Sequence, residues 1–573
     1  MKKLLLGNQA VAQGAYEACV KVATAYPGTP STEITESIAK FSEIYAEWSP
    51  NEKVAMEVAI GASIAGARSI VSMKHVGVNV AADPLFTYSY CGVNAGLVMV
   101  CADDPGMHSS QNEQDSRYYA KAAHIPMLEP SDSEEAKEFT KFAFEISEKY
   151  DTPVMLRMTT RVSHSQSLVE CDSRKEIPLK EYKKDITKYA MMPAMARGRR
   201  KAVEVRDNLL KEDCNSFNIN RAEYKGSIGV ICAGDTYNYV MEALSDVSVL
   251  KLGMVNPLPE KLIKEFCAKC SEIYIVEEME PIIENFVKSL GIKCRGKEIF
   301  PVQGEILPTM IKEKIAGVKT DNCKNPELPG RPPVMCAGCP HRGVFYVLSK
   351  LKLNVTGDIG CYTLGAQAPL SAVDTVICMG ASVGISHGFI KADEKFAKNT
   401  VAVIGDSTFV HSGITGLIDA VYNKGKTTLI ILDNSTTGMT GHQNHPATGL
   451  TIRDEKTHQL DLKNLCLACG AMKVDEVNAF DIENVEKLVK EHLEFDGVSV
   501  IIAKEPCALL NKKIRENVFE INDKCVNCKM CMKLGCPAIQ LTSGKVTINK
   551  ELCTDCGLCK KLCKVNAITE VQR

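Results

Sequence analysis

The sequence predicts an α/β protein that ends in a small cysteine-rich α+β module, and three observations carry that reading. Apolar runs with strand character, such as residues 96–101 and 400–404, alternate with amphipathic stretches such as 134–149, the pattern of strands and helices layered on one another. The alternation occurs in two regions large enough for a core each, with a shorter α/β unit between them. The last 49 residues hold eight cysteines in two runs.

In chain order, residues 1–190 form the first α/β region. The charged stretch 191–225, with Arg197-Gly198-Arg199-Arg200-Lys201, reads as a linker carrying a solvated helix. Residues 226–320 form the compact unit, with strands at 228–232 and 272–276. A boundary rich in Pro and Asn follows at 322–333. Residues 334–510 form the second large region, where Gly380, Gly384 and Gly388 share a helical face suited to close packing. Residues 515–573 complete the chain.

The cysteine runs are Cys525-x2-Cys528-x2-Cys531-x4-Cys536-Pro537 and Cys553-x2-Cys556-x2-Cys559-x3-Cys563, the first three of each at a constant offset of 28. Three thiolates on one tight loop hold three corners of a cubane, and in such runs the fourth cysteine serves the other cluster. Cys525, Cys528, Cys531 and Cys563 are therefore expected on one [4Fe-4S] cluster, and Cys536, Cys553, Cys556 and Cys559 on the second. A zinc reading would leave the third cysteine of each run unexplained. The x4 gap before Cys536 departs from the usual x3. A hairpin turn is expected at Thr542-Ser543-Gly544-Lys545.

A formal net charge of −2 gives no long-range attraction to nucleic acid or an anionic membrane, and no uninterrupted apolar run approaches membrane-spanning length. With 25 cysteines and no export signal, a cytoplasmic, reducing and anaerobic setting is expected.

The second constellation lies at 400–436. A buried strand runs into Gly405-Asp406-Ser407, a helix follows over 413–423, and a second strand at 428–432 ends in Asp433-Asn434. A carboxylate and an amide at two adjacent parallel strand ends suit Mg2+ with room for a diphosphate. Gly405-Asp406-Ser407, then 26 intervening residues, then Asn434 resembles the thiamine diphosphate signature, with Ser407 in place of the usual third Gly. The resemblance implies that Asp406, Asn434 and the Thr436 carbonyl ligate Mg2+. It also implies a pyrimidine-binding domain over 1–190, with Glu57 rather than Glu52 as the carboxylate at the aminopyrimidine, at the start of a small-residue helix.

Both thiamine halves together with the cluster module resemble the 2-oxoacid:ferredoxin oxidoreductases, over nearly the whole chain. Further matches are Tyr26-Pro27-Gly28-Thr29-Pro30-Ser31, Lys74-His75-Val76-Gly77, the loop from His108 to Asp115, and Cys336-Ala337-Gly338-Cys339-Pro340-His341-Arg342. The family implies that Thr29 and Arg117 hold the substrate. It places Gly338, Cys339 and His341 over the thiamine ring, with Gly360 and Cys361 near it. It implies a transketolase C-terminal-like domain at 226–320 and a diphosphate and Mg2+ domain at 334–510. The implied reaction is oxidative decarboxylation of an arylpyruvate such as indolepyruvate, with coenzyme A as acyl acceptor and ferredoxin as electron acceptor; pyruvate is the alternative substrate. A smaller second subunit is implied, giving a hetero-oligomer. The competing readings are a non-oxidative decarboxylase, which would need no clusters, and a pure electron-transfer subunit, which would need no Asp406, Asn434 or active-site glutamate.

Overall fold

The computed structural model describes residues 1–318, 329–330, 332–510 and 516–572. The chain forms two compact units, Met1–Pro326 and Glu327–Arg573. Most of the expected 322–333 boundary lies outside the described residues.

In the first unit a seven-stranded sheet runs in the order Met254–Asn256, Met127–Leu128, Val154–Thr159, Leu97–Asp103, Ser69–Lys74, Val22–Ala25, Tyr45–Trp48. Its neighbours are parallel except at the Met254–Asn256 edge. The small-residue helix Glu52–Ile64 is capped by the Asn51 side chain, which accepts from the Val54 N–H at 2.9 Å. Its buried face is Ala55, Ala59 and Ser63 at four-residue spacing. With so little side chain between them, helix and sheet bond directly. Thr24 Oγ1 donates to the Ala55 carbonyl and Ser69 Oγ to that of Ala59, each at 2.7 Å.

The same unit contains a second sheet in the order Glu272–Val276, Ile228–Ala233, Ser248–Leu252, Arg221–Glu223. Segment 226–320 is less separate than its sequence suggests, because Met254–Asn256 pairs with Met127–Leu128 in the first sheet. Segment 191–225 carries the expected helix, packed on its neighbours rather than solvated. It folds as the helix Pro193–Asp213, which buries Val203, Arg206 and Leu210, and Arg199 donates to the Tyr90 carbonyl and to Asp151, both at 2.7 Å.

In the second unit a five-stranded parallel sheet has the order Asn354–Thr356, Thr400–Gly405, Thr428–Asp433, Ser499–Lys504, Lys473–Asn478. The expected glycine face is only partly used. Gly380 starts the helix Ala381–Ala392 at φ 86 with Ser412 against it, whereas a Cβ at Gly384 or Gly388 would meet open space. The cysteine module pairs Asn517–Ile521 with Ile568–Gln572 and Ile539–Thr542 with Lys545–Ile548, both antiparallel. The hairpin turns at Ser543 and Gly544, both at positive φ. Phe519, Leu534, Leu558 and Ile568 of the module share one apolar core with Val344, Ile482 and Ile501 of the α/β layer, so module and layer are packed as one body.

Among the described residues, no helix is long and apolar enough to cross a membrane.

Candidate active site and electron path

In the second unit, parallel pairing of Gly405 with Leu432 sets the two strand ends side by side. Asp406 is 2% exposed. Its Oδ1 accepts from the Ser407 N–H and its Oδ2 from the Ser435 N–H, each at 2.9 Å, and Ser435 takes a left-handed φ of 59 to present that donor. One terminal atom of the buried Asn434 amide lies 3.2 Å from Asp406 Oδ1 and 2.8 Å from the Thr436 carbonyl oxygen. With nitrogen there, the amide donates to both; with oxygen there, three oxygens converge, as a hard cation requires. His445, buried beside Asp406 Oδ2 at 3.3 Å, has neither ring nitrogen hydrogen-bonded. The donor set and the orphaned imidazole fit a diphosphate-bound Mg2+.

Two glycines of this site are fixed by close approach. A Cβ at Gly360 or Gly405 would lie 2.4 or 2.6 Å from the Tyr362 ring. The Tyr362 hydroxyl donates to the Ile359 carbonyl at 2.8 Å and meets Thr408 Oγ1 at 3.1 Å. His341 stands edge-on to that ring, 6.0 Å between centroids. Burial pushes its imidazole down to about 4, so it is neutral near pH 7.

Four cysteines outside the terminal module gather at the same place. Cys339 faces Cys361 and Cys336, Cys361 faces Cys507 and Cys336, and Cys507 faces Cys336 and Asp406. The Cys507 N–H donates to the Asn434 carbonyl at 2.9 Å, and Cys361 Sγ packs against Gly438, two residues beyond Thr436. Burial raises the Cys339 thiol to about 12 and the Cys361 thiol to about 11, so ionised thiolates here require a cationic partner. The sequence reading saw Cys336, Cys339 and Cys361 as cofactor loops and missed Cys507. The Cys-x2-Cys pair was the available signal, but its partners lie 22 and 168 residues further on.

In the terminal module, Cys531 faces Cys528, Cys525 and Cys563, while Cys536, Cys553, Cys556 and Cys559 line one cavity with Arg342 and Gly338. Gly535, at φ 63, ends the short helix Met530–Leu534 and takes up the extra residue of the x4 gap. The Cys336–Cys339 loop abuts this cavity, since a Cβ at Gly338 would clash with Thr554 Oγ1 at 1.8 Å. Arg342 ties the two together, donating to the Leu534 carbonyl at 2.8 Å, to that of Cys336 at 3.0 Å, and to that of Met335. Among the described residues, no three His, Cys, Asp or Glu side chains close on a single metal ion.

In the first unit the structure changes two assignments. Glu57 is 45% exposed and paired with Lys53 one turn earlier, on the solvent face of its helix. Glu52 is 5% exposed at the first position of that helix. Its carboxylate packs on the first turn of the helix His75–Cys91, since a Cβ at Gly77 would lie 2.7 Å from both Cγ and Oε1 of Glu52. Two helix N-termini thus face Glu52, the placement that favours an anion, and Glu52 replaces Glu57 as the buried carboxylate. Arg117 is unavailable to a substrate. It is 2% exposed and donates to Asp115, to Glu277 at 2.6 Å, and to the Glu278 and Glu280 carbonyls. Thr29 is half-buried on the loop after Val22–Ala25, at the C-terminal edge of the parallel strands, where such sheets bind ligands.

Residues 13–213 match the family model described as pyruvate flavodoxin/ferredoxin oxidoreductase, thiamine diphosphate-binding. Residues 358–503 match the thiamine pyrophosphate enzyme C-terminal TPP-binding domain, and 546–569 the 4Fe-4S binding domain. Fold and matches define a thiamine-dependent 2-oxoacid:ferredoxin oxidoreductase with iron–sulfur centres. Indolepyruvate oxidoreductase subunit IorA of Archaeoglobus fulgidus is 40% identical over 99% of this chain and 97% of its own length. The subunits of that name from Methanothermobacter thermautotrophicus and Pyrococcus horikoshii are each 40% identical, over 99% and 100% of this chain and 97% of their own lengths. A solved 2-oxoglutarate:ferredoxin oxidoreductase from Magnetococcus marinus aligns over 55% of this chain and 65% of that one, with 17% identity and a TM-score of 0.48. The chain belongs to the IorA family of indolepyruvate oxidoreductase subunits.

Proposed function

We propose that this chain is the large subunit of an enzyme that oxidatively decarboxylates arylpyruvates, indolepyruvate foremost, to arylacetyl-CoA and CO2, with ferredoxin as electron acceptor. The observation that carries the reading is the adjacency of the Asp406, Asn434 and Thr436 oxygens to the Cys336, Cys339, Cys361 and Cys507 thiols. A carbon–carbon cleavage site that releases electrons needs an acceptor beside it. The substrate class rests on the names of the relatives.

Thiamine diphosphate supplies, when bound, the electron sink for decarboxylation. Asp406, the Asn434 amide oxygen and the Thr436 carbonyl would hold the Mg2+ of its diphosphate, with Gly405 and Ser407 lining the turn. Glu52, buried where the first turns of two helices meet, would face the aminopyrimidine end. Thr29 positions the substrate. Residues 1–190 are then the pyrimidine domain, 226–320 the transketolase C-terminal-like domain, 334–510 the diphosphate domain and 515–573 the module for two [4Fe-4S] clusters. Cys336, Cys339, Cys361 and Cys507 would hold a third iron–sulfur cluster, which would supply an electron acceptor at this site, and the Gly338–Thr554 contact sets their loop against the cavity lined by Cys536, Cys553, Cys556 and Cys559. A smaller subunit completes the enzyme.

Iron analysis of anaerobically prepared protein tests the path, with about 12 irons per chain expected if three clusters are present. Cys507→Ser should remove about four of them and leave the module's signals in place. A wild-type content of about eight would contradict the third site.

A further inference from the structure

With Arg117 engaged elsewhere, the substrate carboxylate needs another partner, and the C-terminal edge of the seven-stranded sheet holds one. Lys74 ends the strand Ser69–Lys74 and is 8% exposed. Its Nζ donates to the Ser109 carbonyl, and among the described residues its other two protons have no partner. Among the described residues the carboxylate that acts on it is Asp104, beyond ion-pair distance, whose oxygens already accept from the Ser109 N–H at 2.8 Å, Ser110 Oγ at 2.5 Å and Thr160 Oγ1 at 2.7 Å. A buried ammonium so thinly solvated is costly unless an anion completes it.

The surroundings say which anion. A Cβ at Gly28 would lie 3.2 Å from Lys74 Cβ, so the Thr29 loop rests on the lysine stem. Three residues after Lys74, Gly77 receives Glu52. The start of one helix thus gathers the threonine and the glutamate read above as substrate and cofactor groups. His75, between them, is fully buried with Nδ1 unpartnered.

We propose that the Lys74 ammonium receives the carboxylate of the 2-oxo acid, the role the sequence suggested for Arg117. The assignment rests on the proposed function. Burial lowers Lys74 to about 8. Of the groups facing it, Asp104 is held low by its three donors and His75 is held neutral by burial, so carboxylate binding weakens as pH rises through about 8, where the lysine loses its proton.

The test uses the assembled holoenzyme and two inert probes, an arylacetate and the matching arylacetamide, with binding followed by calorimetry and turnover by viologen reduction. Wild type should prefer the carboxylate. Lys74→Met should abolish the preference and raise KM about 10- to 100-fold with a smaller change in kcat, Lys74→Arg should restore part of both, and the rise of KM above pH 8 should vanish in Lys74→Met. Retention of the preference in a Lys74→Met enzyme with wild-type thiamine and iron contents would overturn the assignment, as would a wild type that binds the two probes equally. Absence of 2-oxo-acid turnover in the wild type would instead overturn the proposed function, while the calorimetry still decides Lys74.

Discussion

Glu52 and Glu57 lie five residues apart on one helix, and only one of them is buried. Replacing Glu52 by Gln should lower kcat at least 100-fold with the iron content unchanged, whereas Glu57→Gln should stay within about threefold of wild type, as for other exposed ion pairs. Equal losses in both variants would refute the assignment. Arg117→Met should act on stability instead. It strands Asp115 and Glu277 in the interior, at a cost of about 3–5 kcal/mol in urea unfolding, with KM of the folded enzyme unchanged. Burial alone would raise Asp115, but the Arg117 guanidinium holds its carboxyl down at about 2. Because the folded value is depressed, this stabilisation is present above the unfolded carboxylate range near 4 and is lost as pH falls from there towards 2. Asp406 and Asn434 were legible because their spacing is one β-α-β turn of a parallel sheet. The Glu52 and Arg117 environments were not. Which side of a small-residue helix is buried depends on Gly77, and the partners of Arg117 other than Asp115 come from about 160 residues away.

At the scale of elements, the terminal module was the most legible part, because its cysteines repeat at a fixed offset and flank a hairpin signalled by Ser543-Gly544. The proximity of Cys336, Cys339, Cys361 and Cys507 was hidden, since these cysteines come from three separate segments that the five-stranded sheet brings together. Arg342 is the tie between that loop and the module. Arg342→Met removes donors to three carbonyls and should loosen the contact at Gly338 and Thr554. The expected result is slower reduction of the module clusters in stopped-flow absorbance, by about tenfold or more, with iron content retained. Unchanged reduction kinetics would mean that the loop is not on the path. The helix Pro193–Asp213 shows the opposite limit of sequence reading. Its charge suggested a solvated linker, yet Arg199 and Arg206 spend their guanidinium groups on Tyr90, Ser89, His124 and Asp151, partners no charge count reveals.

For the whole molecule, the two thiamine-binding domains and the cluster module define the chemistry, and the proposed function adds a substrate class and a smaller subunit. This chain alone should show low activity, restored on addition of that subunit; full activity without it would remove the need for a partner. The central claim is that one chain couples decarboxylation of an arylpyruvate to its own iron–sulfur centres. The most direct measurement is anaerobic viologen reduction by the assembled enzyme with thiamine diphosphate, Mg2+ and coenzyme A, comparing indolepyruvate with pyruvate. Reduction with a higher kcat/KM for indolepyruvate is expected. No reduction with either acid, in protein shown to carry its clusters and thiamine, would contradict the claim.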